Sequence, residues 1–402
     1  MKIAVLKEGK SESRVAISTE MVKRYVSLGF DVEIEANAGK NSHISDENYK
    51  EFGAKIGHSA EDVCKGAEIV LCIGKPESSL LSKLEKDTMV IGQFNPLMDK
   101  DAVEEFAEAN LQAFSMDLMP RITRAQSMDV LSSQSNLAGY RAVMEAAVEM
   151  NKCTPMMMTA AGTVSPIKAM IIGAGVAGLQ AIATARRLGG IVCATDVRPA
   201  SKEQVESLGA TFVMVESEET KDAETAGGYA KEMSADYKKK QAELVAETLK
   251  KQDMVICTAL IPGRKAPTLI TDEMLKSMKE GSVVVDLAAS NGGNCEGMEA
   301  DEIVVKHGVS IIGYTNMAGR VAVDASQLYA RNLYNFIAPM VKDGKLEVNY
   351  EDELIVGTLL TRDGGIVNER IAPQPKAEEP KEEAGESCND AECECNSENK
   401  DA

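Results

Sequence analysis

The stretch from Lys168 to Asp196, KAMIIGAGVAGLQAIATARRLGGIVCATD, constrains the fold more than any other part of the chain. A short apolar run, Met170 to Ile172, leads into Gly173-Ala174-Gly175-Val176-Ala177-Gly178, and an alanine-rich amphipathic run continues to Leu188. The segment therefore reads strand, tight turn, helix. A second apolar run, Ile191 to Ala194, ends at Asp196, followed by Val197 and Arg198. The first glycine permits the tight turn, the second lets a pyrophosphate approach the backbone, and the third lets the helix pack closely on its strand. Free N–H groups at the positive end of the helix dipole would hold the phosphate charge. Asp196 stands where a ribose-binding carboxylate belongs, accepting from the ribose hydroxyls and repelling a 2′-phosphate. Arg198 is the residue type that meets a 2′-phosphate, and the acidic residue decides the expectation for NAD. A lone GxGxxG also occurs where a chain merely bends, but here strand, helix, second strand and acidic residue fall in register.

Ahead of this unit, Met1 to about Asp117 alternates short apolar runs with amphipathic segments. The runs are Ile3–Leu6, Val32–Ile34, Ile69–Ile73, Met89–Ile91 and Leu111–Phe114, and between them lie helix candidates such as Thr19–Leu28 and Asp101–Ala109. Such alternation specifies a parallel sheet covered by helices on both faces. This first lobe has no GxGxxG turn and is expected to bind no nucleotide. Pro120 to Asn136 is polar and irregular, and Leu137 to Met150 reads as a helix leading into the second lobe. Met156 to Pro166 is an apolar arm with a glycine turn, an aggregation hazard unless it packs on a partner subunit.

After Asp196 the pattern gives a helix near Lys202–Leu208, a strand at Phe212–Val215, an excursion from Glu216 to about Ser234 and a long helix over Ala235–Lys250. Strands at Met254–Thr258, Val283–Leu287 and Ile311–Tyr314 complete the sheet. Val321 to about Met340 is an amphipathic helix that returns the chain to the first lobe, and hairpin-like strands at Glu347–Tyr350 and Leu354–Leu360 end the folded part. The expected fold is α/β: two Rossmann-like, doubly wound parallel-sheet lobes with a cleft between them. One lobe comprises residues 1–130 plus 320–372, the NAD-binding lobe residues 131–319, and residues 373–402 a disordered acidic tail.

Charge and cysteine content narrow the partners. A formal charge of −19 excludes a nucleic-acid surface, which requires a basic face, and ten Asp or Glu against three Lys fall within residues 373–402. No apolar run reaches the roughly 18 residues of a membrane span, so direct membrane insertion is excluded, and MKIAVLKEGK reads as a buried first strand rather than a signal or transit peptide. Of the nine cysteines, Cys72, Cys193 and Cys257 lie in apolar runs and read as buried free thiols of a reducing compartment. Cys388, Cys393 and Cys395 read as incidental thiols of the tail, so no metal site is expected.

The chemistry expected of the cleft follows from what it lacks. Reducing a carbonyl moves a proton with each hydride, and histidine is the usual carrier at neutral pH. The three histidines, His43, His58 and His307, accompany no polar motif and read as surface or structural imidazoles. Direct hydride transfer between two nicotinamides needs no proton carrier, only ring alignment and exclusion of water. Neutral amides, hydroxyls and an orienting charge suffice, and PRITRAQSMDVLSSQSN supplies them. Ser132 and Gln126 can hydrogen-bond a carboxamide or ribose, and Arg121 with Asp129 can form a buried pair that fixes the loop; the bland reading is a capped helix start with surface charges.

RAQSMDVLSSQSNLAGYRAV, MMMTAAGTV, GAGVAGLQAIATARRLG, ATDVR, KEQVESLG, AETAGGYAKEM and IPGRKAP resemble the NAD(H)-binding component, domain I, of proton-translocating nicotinamide nucleotide transhydrogenases, within the alanine dehydrogenase/transhydrogenase family. The resemblance covers about residues 1–372. It implies a homodimer that binds NAD(H), works with an NADP(H)-binding domain III and a proton-translocating membrane domain II, and is cytoplasmic, held at the inner membrane through those partners. It implies that Arg121, Gln126, Asp129 and Ser132 surround the nicotinamide, with Gln126 guiding the dihydronicotinamide toward the second ring. Tyr229 then matches the tyrosine of a loop that closes over bound NAD(H), and Asp196 the adenosine-ribose carboxylate.

The rival reading is an alanine-dehydrogenase-like enzyme, in which Arg14 and Lys75 match the substrate-binding positions. The histidine expected in Gly92–Leu97 (GQFNPL) is absent, and Ser290 stands where an aspartate is expected, which removes the proton transfer. A non-catalytic NAD sensor is the third reading and needs no polar cluster at an open cleft mouth.

Overall fold

The computed structural model of the chain describes residues 1–198, 200–215 and 234–372. Tyr229 and the 373–402 tail lie outside the described residues. The first sheet contains β1 (Lys2–Val5), β2 (Asp31–Glu35), β3 (Lys55–Gly57), β4 (Ile69–Leu71), β5 (Met89–Gly92) and β6 (Gln112–Ser115), in the order β3-β2-β1-β4-β5-β6 and parallel throughout. Neighbouring residues alternate between two cores: Ile3, Val5, Ile69, Leu71 and Ile91 face one cluster, and Ala4, Val70 and Val90 the other. Burial on both faces is what helices on each side of a parallel sheet demand, and it explains the continuous apolar runs.

β7 (Met157–Thr159) and β8 (Gly162–Val164) form a separate hairpin from the apolar arm, with Met158 80 % exposed. The second sheet follows: β9 (Lys168–Ile172), β10 (Ile191–Thr195), β11 (Thr211–Phe212), β12 (Met254–Cys257), β13 (Val283–Asp286), β14 (Ile303–Lys306) and β15 (Val309–Ile312), ordered β11-β10-β9-β12-β13-β15-β14. It is parallel except for β14, the antiparallel edge. Both sheets are doubly wound, with the strand order reversing beside β1 and beside β9. In this architecture ligands bind at such switch points, beyond the carboxyl ends of the strands.

Two helices link the sheets. The helix Val130–Glu149 carries Ala142, Val143 and Ala146 into the core of the second sheet. The helix Ala322–Ile337 returns to the first, placing Tyr329, Leu333 and Phe336 in its core and donating from Tyr329 Oη to the Cys72 carbonyl at 2.9 Å. The C-terminal segment then covers the β6 edge: Leu360 N–H donates to the Ala113 carbonyl at 2.7 Å and Thr361 Oγ1 to the Leu111 carbonyl at 2.8 Å. A covered edge cannot template pairing with another chain.

The structure corrects four expectations. Residues 354–360 do not form a hairpin strand: Glu353–Thr358 is a helix, because Asp352 accepts the Leu354 N–H at 2.8 Å and the apolar residues recur with helical spacing. Glu347–Tyr350 is irregular, and the hairpin lies just before it, at Val341–Lys342 and Lys345–Leu346. The Leu137–Met150 helix starts earlier, at Val130, because Asp129 caps it. The strand expected at Phe212–Val215 is reduced to Thr211–Phe212. No apolar run marks β3, a three-residue edge strand, and β14 was likewise not expected. β14 reverses into β15 through His307 and Gly308, both at positive φ, as a tight two-residue turn requires.

Tyr25 is fully buried, its ring edge-on to Phe30 and Tyr334, and its hydroxyl has no hydrogen-bond partner. An unmet buried hydroxyl costs roughly 1–3 kcal/mol. Tyr25→Phe is expected to raise the unfolding free energy by about 1 kcal/mol in urea titrations, and a loss of that size would contradict this.

Candidate functional site

The glycine turn sits at the carboxyl end of β9. Gly173 takes φ +100° and its carbonyl accepts from Thr258 Oγ1 at 2.9 Å. A Cβ on Gly173 would lie 2.5 Å from Thr258 Oγ1, and one on Gly178 only 1.8 Å from the Gly173 carbonyl oxygen, so both positions exclude any side chain. Gly175 differs, because a Cβ there meets nothing within 4 Å. It caps the helix Val176–Arg187 without a side-chain acceptor, so no cap side chain occupies the first-turn N–H groups. Val176 is exposed beside them and Ala174 is buried beneath. These are a narrow turn, a close helix–strand contact and room for an anion, and a pyrophosphate fits the last.

Asp196 ends the neighbouring strand and is tied to the same turn. Its Oδ2 accepts the Ala174 N–H at 2.7 Å, and its Oδ1 accepts the Arg198 N–H at 2.8 Å and Nε at 2.9 Å. The strand-end position of this carboxylate is legible from the motif, but its engagement is not: Arg198 is turned onto Asp196, so an incoming ribose must share or displace the guanidinium. Val197 is exposed next to them.

The polar segment forms the adjoining wall. Thr123–Met128 is a 3-10 turn carrying Gln126 at the surface, and Asp129 follows as the cap of the long helix, accepting from Ser132 N–H at 2.9 Å and Ser132 Oγ at 2.5 Å. The buried Arg121–Asp129 pair is not what holds the loop, since Arg121 is exposed and Asp129 is turned to Ser132. The bond that does hold it joins Arg124 to Asp352, a bidentate pair at 2.7 and 2.6 Å. Asn332 and Asn335 add bonds to the Ser127 carbonyl at 2.9 and 3.0 Å. Sequence reading missed all four residues, because nothing local marks partners so distant along the chain. Two contacts join wall to turn: Asn136 donates to Gln180 at 3.3 Å, and a Cβ on Gly139 would lie 2.0 Å from the Ala177 carbonyl oxygen.

A crevice of about 440 Å³ at the switch point of the first sheet is lined by Glu8, Glu12, Arg14 and Gln93. Arg14 is wholly engaged: Nε and Nη2 reach Glu12 at 2.9 and 2.7 Å, and Nη1 reaches Gln134 at 2.8 Å. Burial opposes ionisation of Glu12, but Arg14 outweighs it and holds that carboxyl below its usual range. Lys75 is bound to Glu105 at 2.6 Å, and Gln93 leans on Asp117 at 3.3 Å. Ser290 is exposed and bonded to Asn291. His43 and His58 are exposed, and His307 pairs with Asp272 at 2.9 Å. Arg14 and Lys75 are thus both engaged by carboxylates and no histidine lines the crevice, which leaves Glu8 as a proton-holding group there. No group of His, Cys, Asp and Glu among the described residues has the arrangement of a metal site.

Burial pushes the Glu8 carboxyl up to about 7, against the pull of the Ile73 and Gly74 N–H groups at 2.6 and 3.4 Å. The folded chain therefore holds a proton that the unfolded chain loses near 4.5, so the Glu8 contribution to stability is complete below about 4.5 and is lost as pH rises through about 7. Glu8→Gln is expected to gain stability relative to the parent between about pH 5 and about pH 8; a pH-independent difference in urea midpoints would contradict this. At the turn, Gly175→Ala should leave the melting temperature within about 2 °C while weakening NADH binding by at least about tenfold. Gly178→Ala should lose about 2 kcal/mol or more of stability. Gly175→Ala binding NADH normally in calorimetry would sink the assignment.

The geometry agrees with comparisons to known proteins. The family model for the alanine dehydrogenase/PNT N-terminal domain matches residues 4–138, and that for the alanine dehydrogenase/PNT C-terminal domain matches residues 142–369. The first part of the NAD(P) transhydrogenase alpha subunit of Rhodospirillum rubrum is 51 % identical over 382 residues, covering 93 % of this chain and all of that protein. The protein of the same name from Rickettsia prowazekii is 48 % identical over 374 residues, covering 92 % of this chain and 96 % of its own length. The crystal structure of transhydrogenase from Sinorhizobium meliloti superposes with a TM-score of 0.84 at 52 % identity, covering 91 % of this chain and all of that one. The open glycine turn, the acidic strand end and these matches place the chain in the alanine dehydrogenase/PNT family, among its transhydrogenase alpha subunits.

Proposed function

We propose that the chain is the NAD(H)-binding component of a proton-translocating transhydrogenase, passing a hydride directly from NADH to NADP+ held on a partner domain III. A membrane domain II couples that transfer to proton movement. The observation that carries this reading is a glycine turn open to an anion, together with a first-sheet crevice whose Arg14 is neutralised by Glu12 and whose walls offer no histidine. With Arg14 engaged and no histidine present, the crevice lacks the usual anchor and proton carrier of carbonyl reduction; Glu8 holds a proton there, but hydride exchange between two rings has no need of one.

The residues have these roles. The N–H groups beyond Gly173, Ala174, Gly175, Val176 and Gly178 hold the pyrophosphate, and Asp196, Val197 and Arg198 meet the adenosine ribose. Ser132 and Asp129 fix the start of the wall helix, and Gln126 and Arg121 orient the nicotinamide carboxamide. Tyr229 closes over the cofactor. Bound NADH supplies the hydride; the protein aligns the ring and keeps water away.

The division into lobes of residues 1–130 plus 320–372 and 131–319 accords with the two sheets and with the helix Ala322–Ile337 lying in the first core. The arm, with Met156 60 % and Met158 80 % exposed, is apolar surface that a second copy would cover, giving a homodimer. No helix among the described residues is long and apolar enough to cross a membrane. The family resemblance supports a component at the cytoplasmic face of the inner membrane, attached through its partners.

Calorimetry should show NADH binding at least about tenfold more tightly than NADPH, because Asp196 opposes a 2′-phosphate; equal affinity would overturn the cofactor assignment. In stopped-flow assays of the reconstituted complex, Gln126→Asn should slow hydride transfer by about tenfold or more while changing NADH affinity by no more than about threefold. Unchanged transfer would remove Gln126 from its role.

A further inference from the structure

A groove of about 510 Å³, away from the glycine turn, is lined by Ser13, Asn41, His43, Arg141, Arg320 and the first residues of the helix Ala322–Ile337. Arg141 and Arg320 belong to different elements and converge on one carboxylate oxygen. Arg141 Nε donates to Glu145 Oε1 at 2.6 Å and Arg320 Nε donates to the same atom at 2.5 Å. Glu145 is only 10 % exposed. Burial opposes its ionisation, but the bonds from Arg320 and Arg141 outweigh burial and hold its carboxyl below the usual range. Within this contact one carboxylate meets two guanidinium groups.

Each arginine uses only Nε in this contact, so neither Nη pair has an acceptor among the described residues. Arg320 is also stacked on the Tyr314 ring at 4.0 Å, which fixes the plane of its fork. The 16-residue helix Ala322–Ile337 starts at the same groove with Val321 as its cap, a side chain that cannot accept. Its first-turn N–H groups add positive potential. Two carboxylates oppose an anion here, Glu145 and Asp324, and Asp324 lines the groove itself.

We propose that this groove is a second anion site that takes a phosphate group, gripped by the Nη forks of Arg141 and Arg320 and by polar side chains of Ser13, Asn41 and His43. Two planar forks approaching from different elements suit a tetrahedral oxyanion with acceptors in several directions; a carboxylate offers two acceptors in one plane. The phosphate can come from free orthophosphate or from a phosphorylated metabolite.

Isothermal titration of the full chain with inorganic phosphate tests this, with saturating NADH present to occupy the glycine turn and ionic strength fixed with chloride. The parent is expected to bind phosphate, and Arg141→Gln and Arg320→Gln each to weaken that binding about tenfold. Glu145→Gln, which removes the shared carboxylate, is expected to tighten it. These opposite signs separate loss of the site from loss of the fold, and the parent and Glu145→Gln decide the matter if an arginine variant does not fold. Titration with glycerol 3-phosphate identifies the source: tighter binding than orthophosphate means a phosphomonoester, weaker binding means the free ion, and both outcomes support the site. Absence of phosphate binding to the NADH-saturated chain, or unchanged affinity in both arginine variants, overturns the proposal.

Discussion

Two backbone contacts that only glycine permits hold the nucleotide site together. A Cβ on Gly178 would strike the Gly173 carbonyl oxygen at 1.8 Å, and one on Gly139 would strike the Ala177 carbonyl oxygen at 2.0 Å. The first contact presses the Val176–Arg187 helix onto the end of β9. The second presses the wall helix onto the start of the nucleotide helix. The N–H groups of the turn, the Asp196 carboxylate and the wall that starts at Asp129 follow from these two approaches. Interiors packed at crystal-like density do not absorb an added methyl group without moving one of these parts.

The second constraint is electrostatic and lies in the other sheet. A doubly wound sheet offers a ligand crevice at its switch point whether or not the protein uses it. Here Glu12 occupies Arg14 at 2.7 Å, and Glu105 occupies Lys75, the residue after the crevice-lining Gly74, at 2.6 Å. For the largely buried Arg14–Glu12 pair, the mutual attraction offsets the cost of removing two charges from water, and removing either partner alone would strand the other. The Arg14–Glu12 pair is thereby a structural ion pair of the crevice.

Much of this was legible in the sequence where the cause is local. The 168–196 stretch reads directly as strand, turn and helix because glycine position and apolar period report on the same few residues, and the runs of the first sheet follow from burial on both faces. The helix Ala322–Ile337 is visible from its amphipathic spacing. What was not legible depends on partners remote in sequence. Arg124 and Asp352 are 228 positions apart, and their pairing fixes the turn that carries Gln126. The segment Leu354–Leu360 reads as a strand from its β-branched and apolar content; a single cap from Asp352 makes it a helix. Asp129 looks like a charge partner for Arg121 and acts as a helix cap, because its nearest donors are those of Ser132, three residues on.

In the function proposed for this chain, the hydride moves between two nicotinamide rings without passing through a protein group or solvent. The most direct measurement mixes the chain with a purified NADP(H)-binding partner domain, NADP+ and NADH deuterated at the transferred position, and follows the label by mass spectrometry. The deuterium is expected to appear intact in NADPH, with no hydrogen taken from water and no small carbonyl compound required. Solvent hydrogen in the NADPH, or NADH oxidation that proceeds with pyruvate and ammonia in place of the second nucleotide, would contradict it.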